Sequence, residues 1–488
     1  MQADAWYCCL FVVVCEVLYW LLQRDNHEEV HMKSGLIQLG CALTLMAVGA
    51  TTSYAQMTLK DFEQDMETVG SARDHWGTVD IRGFELDGPV TEKDIALFRG
   101  QYEEFKDSRP TINKKNRLGV AKEGTRLVIA FAEMYKLTGD PFYIDRMVEY
   151  VDSILMHRND VRKKYLATTG SYEAFWPNFQ GADKESDPKD IRVRINAFSS
   201  GVVVGRISYA AKLILETESL HDEKVKGGDP FGFGETYLDR ANYYLDQVSY
   251  VLDSFYMKHW YDAKSGRLVY PKNKALIPEK VHKRAGVAPA WNRYFMMTMG
   301  FARAAEALER RGNADDAERI KLYDNVVQVS VDEFFGTMKR KKLANGKKVY
   351  WWPYDYYYKP VSHRAEETGH GGLDMNCLYP IYVTGRYGIT KEQMEPFVNV
   401  VRDVLYDKKS GKFYSSVEGA AGEKAKAKKS ILGSGYMRLS VIDPSLTEFI
   451  LDGWKKDKRI TTKGLKTGMY AELLQWKNHL YESGQNAN

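Results

Sequence analysis

Cysteine is scarce in this 488-residue chain, and four of its five, Cys8, Cys9, Cys15 and Cys41, fall within the first 55 residues. Cys377 stands alone downstream, which excludes an internal disulfide there and the small disulfide-stapled folds that depend on one. Alternating strand patterns are equally sparse. Residues 347–352, 412–416 and 267–270 read as short hairpin strands, too few and too scattered for a separate β-sandwich. Neither GxxxxGK[ST] nor GxSxG occurs, so a phosphate loop and a nucleophile elbow are both excluded. His363 and His370 are seven apart with no further His or Cys cluster, a poor match to zinc-ligand spacing. No metal or other cofactor is expected.

The beginning of the chain reads as processing signals rather than as fold. Met32 and Lys33 precede an apolar run at 36–48, and Ser53, Tyr54 and Ala55 form a small-x-small site before Gln56. This pattern predicts a signal peptide over 32–55, cleaved after Ala55, and an exported or periplasmic protein. Residues 1–31 then read as an upstream extension. Their apolar run at 9–22 is interrupted by Glu16 and is shorter than the ~20 residues a spanning helix needs, although an extra membrane segment is the competing reading.

Charge offers little concentration of either sign. Residues 1–55 carry two basic and five acidic groups; without them 67 Lys and Arg stand against 60 Asp and Glu, a net of +7. That mild excess suits an anionic partner, yet no basic arm or nucleic-acid motif gathers it, so nucleic acid is not expected. The lysine-rich stretch 419–429 reads as a solvated loop.

What the chain has in abundance is apolar residues at helical spacing, arranged in pairs. Residues 125–135 and 142–155 flank Gly139, Asp140 and Pro141, a C-cap, N-cap and first-turn sequence. Similar pairs are 197–216 with 235–255, 291–311 with 315–335 across Gly312, and 373–384 with 391–406. In each, the first member is rich in small and apolar residues and the second in charge. An all-α fold follows, an (α/α)6 or (α/α)7 toroid of inner and outer helices occupying residues 56–488 as one domain, with small β-hairpins in its loops.

The long connections 165–194 and 261–290 exceed ordinary loop lengths and carry aromatics, so they are expected to serve function. Residues 351–374 are denser still: WWPYDYYYKPVSHRAEETGHGGLD. Trp352, Tyr356 and Tyr358 offer faces for sugar rings, while His363, Arg364, Glu367 and His370 supply hydrogen bonds and proton transfer. Glu366, His370 and Asp374 recur at intervals of four, which places them on one helix face. Pro289 sets Asn292, Arg293 and Tyr294 near an inner-helix N-terminus, where free N–H groups and the dipole favour a carboxylate. A cationic setting there is expected to lower the tyrosine from its ordinary ~10 and make it a base. Trp176, Asn178, Arg192, Arg194 and Asn196 are further candidates from the loop before the second inner helix. Each has a plainer alternative: Tyr294 packed between helices, Arg293 in solvent, either histidine capping a helix against an aromatic, and the loop residues holding only their loop.

With its signal peptide, its hairpin series, Trp291-Asn292-Arg293-Tyr294 and the aromatic run ending in EETGHGGLD, the chain resembles the (α/α) toroid polysaccharide lyases. It is most similar to the alginate and glucuronan lyases of polysaccharide lyase family 38. The resemblance covers most of residues 57–481. It implies β-elimination on a 4-linked uronate polymer, with Tyr294 as base and acid. Arg293, His363 and His370 would then neutralise or orient the uronate carboxylate, with Asn178 or Asn196 as the neutralising asparagine. Two other readings stay open: a toroid glycoside hydrolase using Glu366 or Glu367 with Asp374, and a noncatalytic glycan-binding surface protein.

Overall fold

Apolar stripes at helical spacing become helices, and the caps that close them are those their sequences carry. A computed structural model describes residues 78–105, 119–163, 170–176, 197–277, 279–422, 427 and 432–484. All fall in the second of two compact units, Met66–Asn488. The expected leader (1–31 and 32–55) and Asn178, Arg192, Arg194 and Asn196 lie outside the described residues.

The helices are α1 (Glu92–Phe105), α2 (Gly119–Thr138), α3 (Pro141–Met156), α4 (Ala197–Glu216) and α5 (Tyr237–Val251). There follow α6 (Trp291–Arg311), α7 (Ala317–Thr337), α8 (Thr368–Val383), α9 (Lys391–Asn399), α10 (Ser445–Lys456) and α11 (Thr467–Glu482). Asp140 accepts from the Phe142 N–H at 2.9 Å to open α3, with Pro141 in its first turn. Thr236 with Asp239 and Thr390 with Gln393 form capping boxes on α5 and α9. Gly312, at φ 73°, ends α6 in the left-handed conformation that glycine adopts without strain.

Packing sorts these helices into two layers. α2, α4, α6 and α8 pack side by side, the 3₁₀ segment Ser434–Val441 follows α8, and α11 returns to α2. Arg438 of that segment meets Glu472 of α11 at 3.1 Å and completes the inner ring. α3, α7 and α10 pack outside the inner element that precedes each, as α5 does against α4 and α6. The sixth pair joins both ends of the described chain, since α1 packs on α11. The architecture is therefore an (α/α)6 toroid. The apolar core is an annulus between the layers, with Phe131, Tyr143, Phe295, Phe334 and Phe397 fully buried.

Among the described residues four two-stranded sheets complete the fold, three of them hairpins. β1 (Thr78–Val79) pairs with β8 (Leu465–Lys466), β2 (Tyr261–Asp262) with β3 (Arg267–Leu268), β4 (Lys339–Lys342) with β5 (Lys348–Trp351), and β6 (Tyr406–Asp407) with β7 (Lys412–Phe413). α4 is long and apolar enough to cross a membrane, but it is an inner helix, and 78% of that apolar stretch is buried in the ring.

Two local expectations change. Gly433, Ser434 and Gly435, whose residue types alone suggest a turn, instead open an inner element, Ser434–Val441, in which Gly435 is pressed against the backbone of Gly372. α8 begins at Thr368, five residues before the expected start, because the Thr368 N–H bonds the Ser415 carbonyl at 2.8 Å and its hydroxyl the Tyr414 carbonyl at 2.6 Å. Elsewhere α4 and α6 cross closely: a Cβ on Gly201 would stand 2.5 Å from the Met296 carbonyl oxygen, so only glycine fits.

A buried ion pair joins the two helices of the sixth pair. Lys477 Nζ of α11 lies 3.0 Å from Asp94 Oδ2 of α1, and the Tyr470 hydroxyl donates to the Asp94 carbonyl at 3.3 Å. Removing the lysine leaves the Asp94 carboxylate with its Thr91 hydrogen bonds alone, so Lys477→Met is expected to cost about 3 kcal/mol, the low end for a broken buried pair. The double variant with Asp94→Asn should recover much of that loss. Urea unfolding of the three proteins measures both.

Candidate functional site

The inner ring encloses an axial cavity of about 210 Å³. Four arginines from four inner elements face it: Arg126 of α2, Arg206 of α4, Arg303 of α6 and Arg438. The facing carboxylates are Glu133 and Glu472, and Lys466 adds charge where α11 begins, so the lining is cationic. These side chains are held by aromatic and hydroxyl partners. Arg303 lies over the Tyr209 ring at 4.3 Å, and the Tyr209 hydroxyl donates to Glu133 at 2.6 Å. Arg438 lies over Tyr379 at 5.1 Å, and Arg206 donates to the Thr125 hydroxyl at 2.7 Å. Burial lowers the Arg303 pKa, the direction expected for a cation removed from water. For Arg438, burial also disfavours charge, but Glu472 and nearby hydroxyls outweigh it and raise the pKa.

A second cluster stands where α6 and α8 begin. Residues 351–367 double back on themselves: the Tyr354 N–H bonds the Arg364 carbonyl at 2.9 Å and the Glu366 N–H the Trp352 carbonyl at 3.0 Å. The Tyr354 carbonyl accepts from the Trp291 N–H at 3.4 Å, one of the otherwise unpaired donors at the α6 N-terminus. This brings the half-buried Tyr354 ring to 5.2 Å from His370, with 31° between the planes. Arg293 acts electrostatically on Tyr354, donates to the Tyr270 hydroxyl at 3.2 Å and lies over Phe198 at 5.3 Å. Burial raises the Tyr354 hydroxyl pKa, with Arg293 pulling it back.

Behind His370 is a buried carboxyl pair. Glu366 and Asp374 are both fully inaccessible and close enough to act on each other. Glu366 accepts from the Glu367 N–H at 2.8 Å and lies 3.6 Å from His370 Nδ1; Trp352 Nε1 donates to Asp374 at 2.9 Å. Burial pushes Glu366 up to about 9 and Asp374 well above its ordinary range. The Tyr436 hydroxyl lies buried beside the pair, with no hydrogen-bond partner among the described residues.

The expected site residues divide accordingly. Arg293 and His370 come together, joined by Tyr354, which the sequence reading had not singled out. Tyr294 stands apart: it is fully buried, stacked on Trp291, and its hydroxyl accepts from the Leu268 N–H at 3.4 Å. Burial pushes its pKa up to about 12, opposite to the expected lowering. Trp176 and Trp352 are not sugar platforms, because both are buried and Trp176 Nε1 donates to the Ile154 carbonyl at 2.7 Å. Asn292 is also buried. Tyr358 has Lys283 and Arg284 over its ring, and Arg284 pairs with the buried Asp355. Tyr356 keeps an exposed ring beside Lys359, and His363, Arg364 and Glu367 are exposed, Glu367 lying 3.7 Å from His370. The cavity arginines were also missed. Among the described residues no group of three His, Cys, Asp or Glu could hold a metal ion.

No protein-family model matches the chain, and no curated protein matches it. Solved structures similar to it are of helical enzymes that process sugars. A D-mannose isomerase aligns over 75% of this chain and 86% of its own, at 11% identity and TM-score 0.43. A glycosyl hydrolase of family 88 from Bacteroides vulgatus aligns over 80% and 98%, at 12% and 0.32, and a polysaccharide lyase over 74% and 90%, at 11% and 0.34. Similarity this distant assigns no activity; the ring and its clusters stand on the chain's own packing.

The raised Glu366 pKa links stability to pH. A carboxyl that stays protonated in the folded state adds stability below the unfolded value of 4.5, and that contribution is lost as pH rises towards about 9. The melting temperature should therefore fall across this window. Glu366→Gln, neutral at every pH, should remove up to about 1.4 kcal/mol of that loss per pH unit. Thermal melts of both proteins from pH 5 to 9 check this.

Proposed function

We propose that the protein is a carbohydrate-processing enzyme that cleaves a 4-linked uronate polymer, polymannuronate (alginate) or glucuronan, by β-elimination. The observation that supports this is an arginine and a histidine on the first turns of α6 and α8, with Tyr354 of the segment before α8 set beside both, while later turns of the same helices help line a cationic cavity. The leader-like segment at 32–55 is consistent with an exported enzyme. Elimination breaks the C5–H bond, forms a C4=C5 double bond from its electrons and expels O4, which takes a proton. The C5 proton is acidic only when the neighbouring carboxylate is offset by positive charge or hydrogen bonds, the role given to Arg293.

His370 takes the C5 proton. Tyr354, which burial keeps protonated, delivers a proton to O4. Their rings are 5.2 Å apart with 31° between the planes, so on this reading both act on the same side of the sugar. One-sided transfer suits β-mannuronate and β-glucuronate, whose C5 proton and O4 lie on the same side. The buried Glu366–Asp374 pair sets the position of His370 and has no access to the glycosidic oxygen itself.

A hydrolase is the second reading, because Glu133 and Glu472 both face the cavity and form a carboxyl pair. The products decide: elimination creates an unsaturated end that absorbs in the ultraviolet, hydrolysis does not. Polymannuronate or glucuronan should give rising absorbance, and no rise on any uronate polymer would overturn the lyase reading. Tyr354→Phe and His370→Gln should each lower the rate ~10²-fold or more. Tyr294→Phe should retain turnover within a few-fold.

A further inference from the structure

We infer that the axial cavity is a binding subsite for a single carboxylate-bearing sugar at the end of the glycan, so that the enzyme works from chain ends. This rests on the anionic-glycan reading above but concerns a different set of residues from the rim cluster. The cavity's size is the first argument. At about 210 Å³ it is smaller than the ~300 Å³ at which pockets for drug-sized molecules begin. One sugar residue fits such a space, which leaves little room for a chain to continue past it.

Charge is the second argument. Arginines from four separate inner elements converge on a lining with two carboxylates. Gathering like charges inside a ring is unfavourable unless an anion is expected there. Arg438 is matched by Glu472 at 3.1 Å. Arg303 is not: it is stacked on the Tyr209 ring at 4.3 Å and has no hydrogen bond or ion pair to a carboxylate among the described residues. Stacking holds the guanidinium plane while leaving its edge donors to the cavity, an arrangement suited to bidentate binding of a carboxylate.

Polarity around the arginines is the third. Asn376, Ser434 and Gln475 share the lining, and Gln475 Oε1 is buried with no hydrogen-bond partner among the described residues. A bare anion leaves such groups unused, whereas sugar hydroxyls donate to the carbonyl oxygens and the free lone pairs of Glu133. Gly369 and Gly372 carry the lining up the first turn of α8 to His370, so the bond to the next sugar would lie toward the rim cluster.

Calorimetric titration of the full chain with glucuronate, mannuronate, glucose and inorganic sulfate tests the assignment. Uronates should bind, glucose at least tenfold more weakly, and Arg303→Gln should weaken uronate binding by about 10- to 100-fold. Arg303→Lys keeps the charge but loses the fork, and should fall between the two; circular dichroism confirms that each variant is folded. Tyr354→Phe should bind uronate as the parent does while losing turnover. Glucose bound as tightly as glucuronate, sulfate bound as tightly as either uronate, or unchanged affinity in folded Arg303 variants would each overturn the subsite. Early release of long oligosaccharides from polymer would overturn action from chain ends. An enzyme inactive on uronate polymers that still binds uronate through Arg303 would refute the lyase reading and leave the subsite standing.

Discussion

Closing six helical hairpins into a ring creates the constraint on which the remaining structure depends. Each inner helix can bury its outward face in the apolar annulus, but its inward face meets five others around an axis where no packed core forms. Those faces have to be lined with side chains that tolerate partial water and each other. The chain solves this with arginines stacked on tyrosines, Arg303 on Tyr209 and Arg438 on Tyr379, each tied to a carboxylate network through Glu133 or Glu472. The cavity thus follows from closure, which the packing of α11 on α2 and the Arg438–Glu472 pair complete, while the buried Lys477–Asp94 pair holds the outer helix α1 to α11.

The helical hairpins were legible because local rules agree with the fold. Gly139, Asp140 and Pro141 say where one helix stops and the next starts, and the structure places α2 and α3 on either side of them. The fifth and sixth pairs were not legible. The inner element at Ser434–Val441 is too short to show a helical period, and the sixth pair unites α1 with α11, some 360 residues apart, through contacts that no local pattern records.

The candidate site was half visible for a similar reason. Residues 351–374 drew attention by composition, and His370 and Arg293 were found there and beside it. Composition does not say which aromatics face water. Trp352 looks like a platform and is fully buried, whereas Tyr354, two residues on at a bend past the end of β5, meets His370. The cavity arginines left a signal that was available. Arg206 stands in VVVGRISYAA and Arg303 in GFARAA, each the one charge in an apolar stretch of an inner helix, a pattern that burial must compensate.

The same logic explains why Tyr354, and not Tyr294, lies within reach of Arg293. Both are tyrosines near the α6 N-terminus, and sequence spacing placed Tyr294 closer to it. A helix turns 100° per residue, so Arg293 and Tyr294 cannot share a face. Once Arg293 lies over Phe198 toward α4, Tyr294 is carried into the annulus against Trp291, where burial raises its pKa and closes off any substrate. A tyrosine that serves Arg293 has to come from outside the helix. Tyr354 does so because its own carbonyl caps the α6 N-terminus, so that the hydrogen bond that ends the helix also delivers the ring to its arginine.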